Sequence, residues 1–151
     1  MKISKTLTIS ALTIVFAASL SACTPTVNLE AAKYANDPGC AEIIVRLPDE
    51  IDGNKKRVTN AQATGSWGNP AAVILRCGIE PVEVSKLTCV SAGEIDWLVD
   101  DSQKPSFRFI TFGRTPATEV IVDSSAIAGV TALETLAGAI QNIEPTKTCT
   151  G

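Results

Sequence analysis

Six residues of this chain combine distinctive chemistry with a position beside a turn: Arg57, Trp67, Arg76, Asp96, Trp97 and Arg114. Arginines grip carboxylates and phosphates through paired N–H donors, and an indole offers a flat face to a sugar ring, so the set fits an anionic or sugar ligand or a partner loop. The plainer expectation is structural, with both tryptophans in the core or at its rim and Arg76 and Arg114 paired with acids such as Asp96. Beyond these residues the catalytic inventory is thin. The chain has no histidine, which excludes the usual Ser-His-Asp arrangement and most zinc hydrolase sites. It holds no phosphate loop ending in Gly-Lys-Ser/Thr and no G-x-S-x-G elbow. Asp49 with Asp52, or Asp96 with Asp100 and Asp101, could supply carboxylates for acid/base work or calcium, against the commoner role of solvent-facing turn caps. Lys55-Lys56-Arg57 reads as a solvated basic loop or, alternatively, an anion site. No catalytic residue, metal or cofactor is assigned.

Five cysteines carry the remaining chemistry. Lys2 and Lys5 precede a largely apolar run from Leu7 to Ala22, the anatomy of an export signal and too short for the ~20 residues of a membrane-spanning helix. The run ends in Leu20-Ser21-Ala22-Cys23, which resembles a bacterial lipobox, so residues 1–22 are expected to be removed and Cys23 acylated, with palmitate-type chains. Ordinary signal cleavage and an uncleaved anchor are the alternatives. Acylating Cys23 leaves Cys40, Cys77, Cys89 and Cys149, an even set for two disulfides outside the cytoplasm. Three connectivities are possible; the favoured one pairs Cys77 with Cys89 and Cys40 with Cys149. Zinc is the weaker option, since no C-x-x-C pair occurs.

Removing Lys2 and Lys5 lowers the basic count from 13 to 11 against 16 acids, a formal charge of −5. That balance argues against nucleic acid or an anionic membrane surface as the main partner.

These residues are expected on an α+β domain over residues 29–151, joined to the anchor by a polar tether at 23–28 that holds the domain off the membrane. Its sheet is expected to be mainly antiparallel with about four to five strands, flanked by a short N-terminal helix and a C-terminal amphipathic helix. Helix formers at Leu29–Asn36 give the first helix, with Asn28 as N-cap and Pro38-Gly39 as its stop. Glu42–Leu47 alternates as a strand, and Asp49–Arg57 is polar with a turn at Asp52-Gly53-Asn54. Val58–Trp67 and Ala71–Cys77, the latter apolar enough for burial on both faces, form one hairpin. Glu94–Val99 is a further strand, followed by a turn at Asp100–Pro105. Phe107–Phe112 and Ala117–Val122 form a second hairpin. Thr131 and Glu134 stand as a capping box before the stripe Leu133, Leu136, Ala137, Ile140 and Ile143, with Pro145 closing the helix.

Arg46-Leu47-Pro48, Trp67-Gly68-Asn69-Pro70, Leu75-Arg76-Cys77-Gly78-Ile79 with Pro81, Cys89, Asp96-Trp97 and Phe112-Gly113-Arg114-Thr115-Pro116-Ala117 together resemble an actinobacterial lipoprotein family, domain of unknown function 3515. The resemblance covers nearly all of the chain after Cys23. It implies an exported lipoprotein on the outer face of a single cell membrane, and transfers neither activity nor catalytic residue. The leading expectation is a non-enzymatic module held by its lipid and binding an envelope protein or glycan. The alternatives are a small accessory enzyme or enzyme subunit in envelope metabolism, and a ligand-binding lipoprotein of a transporter.

Overall fold

A computed structural model describes residues 25–149; the expected leader over 1–22 and the expected acylation site Cys23 lie outside them. In chain order the elements are α1 (Pro38–Val45), β1 (Glu50–Ile51), β2 (Asn54–Arg57), β3 (Thr64–Trp67), β4 (Val73–Ile79), β5 (Thr88–Ala92), β6 (Ile95–Gln103), β7 (Ser106–Thr111), β8 (Ala117–Asp123) and α2 (Gly129–Ile140). The strands form one eight-stranded sheet, in order β1-β2-β3-β4-β8-β7-β6-β5, with every neighbouring pair antiparallel. Two meanders, β1 to β4 and β5 to β8, thus meet where β4 pairs with β8.

Alternation along that central pair sorts the two faces. Val73, Leu75 and Cys77 of β4 and Val120 and Val122 of β8 point into the main core, where both helices pack. Ile74, Arg76, Glu119 and Ile121 occupy the opposite face. The α2 stripe Leu133, Leu136, Ala137 and Ile140 is buried as expected, together with Ile143 beyond the helix. Each fully buried leucine or isoleucine there contributes about 2 kcal/mol of apolar transfer.

The sheet has eight strands rather than four or five because β1, β2 and β5 lack apolar alternation, their burial patterns being mostly exposed or intermediate. The Asp52-Gly53 turn is present but joins two strands, and β6 runs on through Asp100–Gln103, so the expected turn there contracts to Lys104-Pro105. Strand β3 covers only the last four residues of Val58–Trp67, and β4 is buried chiefly on its helix side.

The N-terminal third departs furthest from expectation. Leu29–Asn36 is not a helix; it is an irregular strap whose backbone groups find partners in the body. Val27 forms a parallel bridge with Thr59, the Leu29 N–H donates to Asn60 Oδ1 (2.7 Å) and the Tyr34 N–H to the Gly78 carbonyl (2.8 Å). Eight helix-forming residues do not overcome the cost of nucleation without an apolar face to dock. Gly78 permits the crossing: its φ is 97°, and a Cβ there would fall 2.4 Å from the Tyr34 carbonyl carbon. Glu42–Leu47 is not a strand, because Pro38 starts a helix instead of ending one. Asp37 caps it, its side chain accepting from the Gly39 N–H (2.8 Å), and Pro38 fits the first turn, where no N–H is needed.

Helix α2 begins at Gly129 with Ala128 at its N-cap and no side-chain cap, so the Thr131/Glu134 box does not form. Close packing sets this start, since a Cβ on Gly129 would lie 2.9 Å from the Phe109 ring. The helix ends at Ile140, short of Pro145.

The disulfides join Cys40 to Cys77 and Cys89 to Cys149, not the favoured pairs. Strand order explains the correction. Cys77 on β4 and Cys89 on β5 are separated by β8, β7 and β6, four strand spacings or about 19 Å, well beyond the reach of a disulfide. The observed bridges instead pin α1 to the sheet centre and the C-terminal tail to the β5 edge.

Candidate functional site

The six residues singled out above do not converge. Trp67 and Trp97 are fully buried, each with its indole N–H spent on a main-chain carbonyl, Pro48 at 2.9 Å and Ala92 at 3.2 Å. Neither indole faces a ligand. Arg57 donates to the Gly68 carbonyl (3.2 Å) and, through Nη2, to the Pro25 carbonyl (2.6 Å). Arg76 lies on the face away from the helices and pairs with Glu119 (2.5 Å), not with Asp96. Only Asp96 and Arg114 come together.

Arg114 sits in the turn between β7 and β8. Gly113 (φ 70°) brings that turn against the C-terminal tail, where a Cβ would fall 2.1 Å from the Lys147 carbonyl oxygen. Thr146 locks the approach, its N–H (2.7 Å) and hydroxyl (2.9 Å) both donating to the Gly113 carbonyl. The Arg114 side chain is 5% exposed, and its Nη1 donates to the carbonyls of Ile143 and, at 3.5 Å, Gln141. A cation is favoured there by the negative end of α2. No carboxylate among the described residues makes an ion pair with it, and its Nε is buried without a partner. Burial pushes the guanidinium's pKa down, while the charges of Glu144 and Asp96 oppose that shift.

Two openings meet over this guanidinium. The larger, about 570 Å³, is lined by Arg46, Glu94, Arg114, Gln141, Asn142 and Glu144 among others, and the smaller, about 240 Å³, by Ser91, Asp96, Phe112 and Thr148. They share Glu94, Arg114 and Pro145. Asp96 also positions the tail, accepting from the Cys149 N–H (2.7 Å) and from the Ser91 hydroxyl. The result is a polar cleft of mixed charge with a buried arginine at its floor.

A family model described as "Protein of unknown function (DUF3515)" matches residues 5–149. The chain belongs to this family. No curated protein and no solved structure matches it. The structure gives the motifs of this DUF3515 chain architectural roles. In Arg76-Cys77-Gly78, the arginine serves the ion pair with Glu119, the cysteine bridges to α1 and the glycine admits the strap. In Gly113-Arg114-Thr115-Pro116, the glycine receives the tail and the arginine holds the carbonyls after α2.

A buried ionic cluster has no counterpart among the sequence expectations. Glu119 is 2% exposed at the centre of β8 and is shared by Arg76 and Arg108, each side chain about a third exposed. The signal was a lone acid in the β-branched run Ala117–Val122, on the face that Arg76 occupies one strand away. Among the described residues no group of three or more Asp, Glu, Cys or His side chains is placed to hold a metal ion.

Proposed function

We propose that this chain is a non-enzymatic binding module held at the outer face of the cell membrane through acylated Cys23, and that the cleft over Arg114 receives an envelope partner, a protein loop or a glycan. The observation that carries the reading is the Arg114 guanidinium, buried at the floor of an open polar cleft with no carboxylate in contact. Export is supported by cysteine use. All four cysteines among the described residues are joined in two disulfides, which leaves Cys23 as the odd one of five. The carboxylates whose pKa is displaced, Glu80, Asp100, Asp101 and Asp123, all shift downward. That is the direction of a paired or hydrogen-bonded carboxylate, opposite to that of a general acid.

The test is affinity recovery from native membranes with the full lipoprotein, beside Cys23→Ala and a Glu94→Arg/Glu144→Arg variant that reverses two exposed cleft acids. A partner recovered by the wild type and lost by both variants supports the reading. Equal recovery by the cleft variant removes the cleft from it, and no enrichment over Cys23→Ala removes the partner.

A further inference from the structure

We infer that the β1–β2 hairpin is a membrane-contacting surface that binds anionic lipid headgroups, with Lys55, Lys56 and Arg57 as the groups that meet the phosphates. The inference rests on the acyl anchor of the proposed function and adds to it an orientation and a second attachment.

Pro25, the first described residue, is already held, since the Nη2 of Arg57 donates to its carbonyl at 2.6 Å. Two residues on, Val27 bridges to Thr59, and its carbonyl accepts from the Asn60 N–H. Residues 25–28 are therefore tied to the body at Pro25 and Val27. Cys23 stands two positions before Pro25, so at most about 7 Å of chain separates an acylated cysteine from the Arg57 contact. That reach is within the ~8 Å over which charges act at physiological salt. An anchor at Cys23 thus brings the end of β2 to the headgroups by chain length alone.

The charges in that place make no ion pair. Of the eleven lysines and arginines among the described residues, Lys33, Arg46, Arg76, Lys104, Arg108 and Lys147 are ion-paired. Three of the five that are not paired are Lys55, Lys56 and Arg57. A cleft of about 390 Å³ runs along them to Gly68 and Asn69, and none of its lining residues is acidic. The hairpin's own acids, Asp49, Glu50 and Asp52, lie outside that lining, although Glu50 stands opposite Lys55 in the β1–β2 register. Within the cleft the Nε of Arg57 is buried with no partner. Val58 follows directly and is 72% exposed, a small apolar contact at the same edge. The chain as a whole is acidic and the hairpin's acids equal its basic residues in number, but the cleft presents only the basic ones, and a basic residue held at an anionic surface is worth roughly fivefold in binding.

The experiment uses the acylated full-length protein reconstituted in vesicles of phosphatidylcholine alone or mixed with phosphatidylglycerol, and reads amide hydrogen exchange across Asn54–Val58. On the anionic vesicles exchange slows by about fivefold or more relative to phosphatidylcholine, and high salt or Lys55→Gln/Lys56→Gln, both exposed positions, abolishes the difference. Identical exchange on the two vesicle types, or slowing that survives both salt and the double variant, overturns the inference while the anchor stands. Failure of the wild-type protein to float with phosphatidylcholine vesicles removes the anchor itself, and the inference with it.

Discussion

The guanidinium of Arg114 donates to the main-chain carbonyl of Ile143, tying the β7–β8 turn to the segment that follows α2. One contact thereby joins the sheet, the helix C-terminus and the tail leading to Cys149. Arg114→Ala is therefore expected to cost about 2 kcal/mol of stability, the scale of hydrogen bonds from a charged donor. Lysine recovers less than half of it, lacking the planar fork. Urea unfolding of the two variants checks this, and an unchanged midpoint for Arg114→Ala would remove the structural role. Arg114 is for this reason a poor probe of binding, and the exposed Glu94 and Glu144 are the better ones.

Glu119 and its arginines are expected to respond unequally to truncation. Arg76 and Arg108 share the carboxylate, so Arg108→Ala leaves Glu119 paired and, with its own charge part-solvated, costs about 1 kcal/mol or less. Glu119→Ala leaves two guanidiniums beside each other over a small cavity and costs about 3 kcal/mol. Chemical denaturation of the two variants measures the ratio, and equal losses would contradict the shared-carboxylate arrangement.

Peptide mapping under non-reducing conditions is expected to recover Cys40 linked to Cys77 and Cys89 linked to Cys149. The loops span 37 and 60 residues, so chain entropy assigns each bridge about 4 kcal/mol. Cys89→Ser/Cys149→Ser should release the tail while leaving α1 fixed. A Cys77 to Cys89 peptide would contradict the strand order itself.

Asp123 holds the turn that precedes α2 through acid-sensitive hydrogen bonds. The Ser125 hydroxyl and N–H both donate to its carboxylate and hold its pKa below the ordinary value of 3.8. A carboxylate with a depressed folded pKa contributes stability that is complete above the unfolded pKa and fades as pH falls through the folded one. Thermal melts of wild type and Asp123→Asn should accordingly differ at pH 6 and draw together as the pH falls below the ordinary carboxylate range. A gap that is constant with pH would assign the effect to something other than the charge.

Some of this architecture was legible in the residues and some was not, for identifiable reasons. The α2 stripe and the β3–β4 and β7–β8 hairpins could be read because periodic apolar positions face one core. Segment 42–47 misled because Ile43 and Leu47 are four apart as well as members of an alternating run, and six residues do not separate the two periods. Strands β1, β2 and β5 place a single buried side chain between them, Ile51, too few for a period to show. Site residues were legible as types but not as places. Charge next to a turn marks Arg114, Asp96 and Arg57, whereas the partners that give each its role lie elsewhere in the chain, at Ile143, Cys149 and Pro25.

In the proposed function Cys23 is the point of membrane attachment. Mass spectrometry of the protein extracted from its native membrane should find an N-terminal peptide that begins at Cys23 and carries the mass of acyl chains, with no trace of residues 1–22. An intact leader, or an unmodified Cys23 on a water-soluble product, would contradict it.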